Sequence, residues 1–91
     1  MLVPIELKRR YLSRRVEDLA QLKEALAKND FAPALKLGHQ VKGNAVTFDF
    51  PQMAPLGVEF EIAARLCDKE RLLLLVKKME TEISRAESIV H

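Results

Sequence analysis

Leu12, Val16, Leu19, Leu22 and Leu26 recur at three- and four-residue steps, the spacing that lays one buried stripe along a helix. The pattern predicts a first helix from about Pro4 or Ile5 to Lys28. Asn29-Asp30 interrupts it, and Asp30 suits the N-cap of a second helix running from Phe31 to about Phe48. Pro33 falls in that helix's first turn, where a missing amide hydrogen costs little. Pro51 and Pro55 cannot both lie inside one regular helix, so a third helix becomes regular near Pro55 and carries Leu56, Phe60, Ala63, Ala64 and Cys67. Asp68 opens a fourth, whose stripe is Leu72, Leu75, Val76, Met79, Ile83, Ala86 and Val90. Such short connections make sequential helices antiparallel neighbours. The expected fold is all-α, an antiparallel up-down-up-down four-helix bundle, with residues 1–91 as a single domain.

The second helix also decides where its polar residues point. At about 100° per residue, Phe31, Ala34, Leu35, Gly38, Val41, Ala45 and Phe48 gather on one side of the wheel. His39 lies roughly 130° from the centre of that arc. It is expected to face solvent or a groove rim.

Composition narrows the classes. Hydrophobic residues make up 48% and charged residues 31%, with no Trp and one Tyr, a soluble helical composition with little that strands require. A net charge of +2 is too near neutral to argue for a nucleic-acid partner. The basic run Lys8-Arg9-Arg10 to Arg14-Arg15 is followed by Glu17 and Asp18 and reads as a solvated helix face. The lone Cys67 forms no internal disulfide and fits a reducing cytoplasm, as a small hydrophobe near a helix end. Met1-Leu2-Val3-Pro4-Ile5 is too short for a signal h-region, and the longest apolar run, Leu72 to Val76, is far short of a membrane span. A metal site has little support, since the second histidine is the terminal His91.

Chemistry concentrates in Gly38-His39-Gln40-Val41-Lys42-Gly43-Asn44-Ala45-Val46-Thr47-Phe48. A neutral imidazole nitrogen is a nucleophile able to carry a phosphoryl group, and Lys42, one turn on, could neutralise the charge that arrives. Gly43 sits almost under His39, where a mid-helix glycine costs about 0.5–1 kcal/mol against alanine. Either it admits a partner backbone or it serves close helix packing. Its place on the His39 side favours the first.

The order H-x-x-K-G-x-A-x-x-F followed by Phe50-Pro51 resembles the histidine-containing phosphotransfer (HPt) domain. Phe48-Asp49-Phe50-Pro51 is similar to that family's F-G-F-P segment. Leu56-Gly57 and Glu59-Phe60-Glu61-Ile62-Ala63-Ala64 resemble its L-G…L-E-x-A-A stretch, and Tyr11-Leu12, Arg14-Arg15, Asp18-Leu19, Ala25-Leu26 and Asp30-Phe31 its first helix and turn. The resemblance implies a four-helix bundle in which His39 accepts and donates a phosphoryl group through Nε2, Lys42 stabilises its oxygens, and Gly43 leaves room for the partner. Glu61 stands where relatives offer a polar side chain to the ring's other nitrogen, so it is either the group orienting His39 or one more solvated acid. Ala32, Leu35, Lys36, Gln40, Val46 and Asp49 would form the docking rim. Asp49 departs from the family, which usually has glycine there. In a continuing helix it would lie near Lys42 and could draw that lysine away, or it could simply cap the turn before Pro51.

The implied partners are receiver domains of response regulators or of a hybrid histidine kinase, with no nucleic acid and no membrane, and the chain acting as a monomer. No cofactor is expected on this chain, Mg²⁺ being brought by the receiver. With no Gly-rich ATP-binding segment and no acid after His39, an autophosphorylating kinase fits poorly, so the chain is not expected to be an enzyme in its own right. A weakly active HPt-like scaffold that binds a receiver without transferring phosphate is the alternative.

Overall fold

The stripes produce four helices in the computed structural model, which describes residues 2–90. Met1, of the N-terminal stretch, and His91, the second histidine, lie outside the described residues. The helices are α1 (Ile5–Ala27), α2 (Ala32–Asn44), α3 (Ala54–Arg65) and α4 (Lys69–Ile89), with one 3₁₀ turn, Pro51–Met53, leading into α3. Among the described residues there is no strand. Leu12, Leu19, Leu22 and Leu26 of α1 meet Leu72, Leu75, Val76, Met79 and Ile83 of α4 in one core, which Val41 and Phe60 complete from α2 and α3. Arg9 Nε donates to the Val90 carbonyl at 3.4 Å and Lys23 pairs with Glu80 at 2.7 Å, so the start of α1 lies beside the end of α4. Tyr11 Oη donates to Asn44 Oδ1 at 2.7 Å, tying α1 to the end of α2, and Arg71 pairs with Glu59 at 2.6 Å across α3 and α4.

The stripes needed correction at three positions. Val16 and Leu35 are exposed, and so is Cys67. In α1, Tyr11 and Arg15 are buried instead. The Arg15 guanidinium lies 4.7 Å from the Tyr11 ring centroid, and its Nε donates to Asp18 at 2.9 Å. A paired and stacked arginine can take an interior place that periodicity assigns to an aliphatic residue. Burial raises the Tyr11 phenol above its ordinary range. In α2, Leu37 takes the inward position.

Helix ends account for other differences. Asp68 caps α4 as expected, accepting the Arg71 amide at 3.0 Å. Asp30 instead accepts the Ala32 amide at 3.1 Å, bracing the entry to α2 from the residue before Phe31, which holds the cap position. Regular α2 stops at Asn44 rather than near Phe48, and turns continue to Asp49. There the Phe50 amide donates to the Ala45 carbonyl at 2.8 Å and the Asp49 amide to Val46 at 3.0 Å, the paired closure of a Schellman motif. The same pair of bonds closes α1 at Asn29-Asp30 and α3 at Cys67-Asp68. Each closure puts a non-glycine residue at positive φ: Asn29 at 57°, Asp49 at 69° and Cys67 at 52°. All three glycines lie in helices, and none has positive φ.

Asp49 therefore sits at the left-handed residue of a helix closure, the natural place for the glycine of the resemblance. Its carboxylate pairs with Lys8 of α1 at 2.8 Å, on an exposed surface. Such a pair contributes at most about 1 kcal/mol. Asp49→Gly is expected to hold or raise stability, by up to about 1 kcal/mol, while the β-branched Asp49→Val costs about 1–2 kcal/mol. Urea unfolding midpoints of the two variants check the sign.

Candidate functional site

α2 and α3 approach at two glycines. A Cβ on Gly38 would lie 2.7 Å from the Gly57 carbonyl oxygen and 2.8 Å from the Glu61 amide nitrogen. A Cβ on Gly57 would lie 2.5 Å from the Lys42 amide nitrogen and 2.7 Å from the Gly38 carbonyl oxygen. Those separations are backbone contacts, which no rotamer change can relieve. The close approach carries Glu61 of α3 up against the residues of α2 that follow Gly38.

Glu61 is the hub of the arrangement. Its side chain is only 8% exposed, and its Oε1 lies 2.8 Å from Lys42 Nζ. Oε2 accepts from Arg65 Nη2 at 3.4 Å, four residues along α3. His39 Nδ1 stands 4.0 Å from Oε1, beyond a hydrogen bond but close enough for a charge on the ring to be felt. The Lys42 ammonium beside Glu61 is the main reason its carboxyl titrates below the ordinary carboxylate range. Burial acts in the opposite direction, and His39 and Arg65 add smaller lowering contributions. Glu61 is thus not a solvated acid on an exposed face.

His39 presents an imidazole that is 76% exposed. Nothing lies within 4 Å of the position a Gly43 Cβ would occupy. Of the two readings of this glycine, close packing within the chain is therefore set aside; that role belongs to Gly38 and Gly57. Lys42 is half-exposed, with its stem on the α3 side of the helix and its ammonium on the carboxylate.

The rim residues divide. Ala32, Leu35 and Val46 are exposed, Val46 in the turns that follow α2. Lys36 and Gln40 are exposed as well, and with Ala32 they line a groove between α1 and α2 whose far side is Arg14, Asp18 and Gln21. His39 thus stands between a charged cluster toward α3 and a polar groove toward α1. Asp49 does not flank Lys42. The helix closes before it, its carboxylate goes to Lys8, and the acid that engages Lys42 is Glu61. Two features escaped the sequence reading. Arg65 was legible as an i,i+4 partner of Glu61 once that acid was placed. The pairing of Gly38 with Gly57 left no local signal, because it depends on which helices touch.

An exposed imidazole with a lysine and a buried carboxylate at its side can accept and return a compact anionic group. The family model of the Hpt domain matches residues 6–88. The chain belongs to the Hpt domain family. Hpt domains are phosphocarriers of two-component signalling, not kinases, and they work with receiver domains and histidine kinases. Comparison with curated proteins and with solved structures gives no match. Among the described residues, no helix is long and apolar enough to cross a membrane.

The glycines of this Hpt domain give opposite expectations. Gly38→Ala forces the α2–α3 backbones apart and should cost about 1–3 kcal/mol. Gly43→Ala meets open space and should gain about 0.5 kcal/mol from helix propensity. Paired urea titrations with circular dichroism decide between them.

The lowered Glu61 pKa carries a pH dependence. A carboxyl that titrates lower in the folded chain than in the unfolded one stabilises the fold above its unfolded value, about 4.5. That contribution disappears as pH falls through the folded value. Glu61→Gln should therefore lose less stability than the parent on acidification below about pH 4.5. The difference between the two proteins in urea midpoint against pH isolates this group from the other carboxylates.

Proposed function

We propose that this Hpt domain shuttles a phosphoryl group between His39 and the aspartates of receiver domains, on response regulators or a hybrid histidine kinase. The observation that carries the reading is an imidazole standing in solvent above open space at Gly43, with the Lys42–Glu61 pair beside it. In the forward step Nε2 attacks the phosphorus of a receiver aspartyl phosphate. The Nε2–P bond forms, the aspartate oxygen–phosphorus bond breaks, and the electron pair leaves on the aspartate carboxylate. The ring keeps its Nδ1 proton and becomes cationic, so the Glu61 carboxylate favours the phosphorylated state and the tautomer that exposes Nε2. Lys42 offers its ammonium to the phosphoryl oxygens. On the receiver's side, charge is neutralised by the receiver's own Mg²⁺. The reverse step returns the group to another receiver.

Ala32, Leu35 and Val46 give the receiver a shallow apolar seat, with Lys36 and Gln40 on the α1 side. Such a contact belongs to the small, transient class. The reading takes the domain as a cytoplasmic monomer. It also takes the bundle as antiparallel up-down-up-down, supported by the pairing of Arg9 with Val90, Tyr11 with Asn44 and Glu59 with Arg71.

The test is transfer from labelled phospho-receivers, read as acid-labile, alkali-stable label on this chain. His39→Ala should take up none; label persisting at His91 would overturn the assignment. Gly43→Gln should stay folded yet lose at least about tenfold in transfer, a barrier of about 1.4 kcal/mol. Receiver binding without any transfer by the parent chain would make it a scaffold instead.

A further inference from the structure

One oxygen of Glu61 faces two claimants. Oε1 holds Lys42 Nζ at 2.8 Å and stands 4.0 Å from His39 Nδ1, while Oε2 is held by Arg65 at 3.4 Å. We propose that Oε1 changes partners during the phosphorylation cycle: it holds Lys42 in the resting chain and His39 Nδ1–H once Nε2 carries the phosphoryl group, with Arg65 as the positioning residue that keeps the carboxylate in place. The inference rests on reading His39 as the phosphoryl carrier.

Mobility and charge together set the direction of the exchange. Lys42 is 44% exposed on a flexible four-carbon stem, whereas Glu61 is 8% exposed between two helices. The lysine can swing, and the carboxylate cannot follow. Phosphorylation places about two negative charges beside Lys42 and, because Nδ1 keeps its proton, a positive charge on the ring. Lys42 is drawn to the phosphoryl oxygens. Its departure alone would leave Oε1 of a buried carboxylate without a partner next to a dianion, with only the longer Arg65 contact on Oε2, a costly arrangement. The newly cationic ring supplies the replacement partner on the oxygen that Lys42 leaves. Arg65, 70% exposed and four residues along the same helix, holds Oε2 before and after. No atom is transferred in the exchange beyond the phosphoryl group itself, and Nδ1 keeps its proton throughout.

The probe is phosphoramidate, a small-molecule phosphoryl donor to imidazole, applied to the whole chain with Lys42 and Glu61 followed by NMR. On phosphorylation of His39, the Lys42 ¹⁵Nζ and Glu61 ¹³Cδ resonances should both shift, and Nδ1–H should become protected from solvent exchange. Arg65→Ala, a change at an exposed side chain, should keep its circular dichroism and load His39 about two- to fivefold more slowly, the range of a partly exposed ion pair. Arg65→Lys should restore the rate. If His39 takes up no phosphate in the parent chain, the functional reading itself fails. If His39 is phosphorylated while Lys42 ¹⁵Nζ stays unshifted, the exchange is wrong and the reading stands. Equal loading by Arg65→Ala and the parent chain removes Arg65 from the device.

Discussion

The backbone contact between Gly38 and Gly57 is the constraint on which the site depends. With any side chain at either position, α2 and α3 would stand further apart. Glu61 would then withdraw from Lys42 and from His39 together. A close helix approach also excludes water from around the carboxylate, which strengthens its pairing with the ammonium. One packing detail thus sets both the architecture of the α2–α3 pair and the electrostatics beside the exposed imidazole.

The chain distributes its special backbone residues in an unusual way. Its glycines sit inside helices, two at a close backbone approach and one beside open space, while the left-handed helix closures fall to Asn29, Asp49 and Cys67. Asn and Asp tolerate that conformation better than most residues. Cys67 takes the same conformation at φ 52° with no polar oxygen in its side chain to favour it. The consequence for the site is concrete. Because the α2 closure falls at Asp49, its carboxylate goes to Lys8 on α1, and Lys42 is left to Glu61.

On the proposed reading, the exposed imidazole and the buried carboxylate divide the labour of a carrier. A nucleophile that meets a partner has to stand in solvent, and His39 does. The group that tunes it has to be desolvated and fixed, and Glu61 is both. Neither requirement can be met by the other residue, which is why the pair spans two helices. Lys42, half-exposed, rests on the carboxylate within reach of solvent.

How much of this was legible beforehand follows from the range of each interaction. Four helices, the α4 stripe, the Asp68 cap and the outward face of His39 were readable, because periodicity and capping act within a turn or two of the chain. The motif His39-x-x-Lys42-Gly43 was readable for the same reason, its members sharing one helical surface. Val16 and Arg15 were misplaced because a local pattern cannot see Tyr11 and Asp18 making a buried arginine affordable in charge. The end of α2 was placed too late, since the closure at Asp49 is written in hydrogen bonds and not in composition. Which acid meets Lys42 was beyond the sequence altogether: Asp49 is nearer along the chain, and Glu61 is nearer in space. That choice belongs to tertiary structure, because only the contact of two helix backbones at Gly38 and Gly57 brings residues from separate elements within the few ångströms over which an ion pair acts.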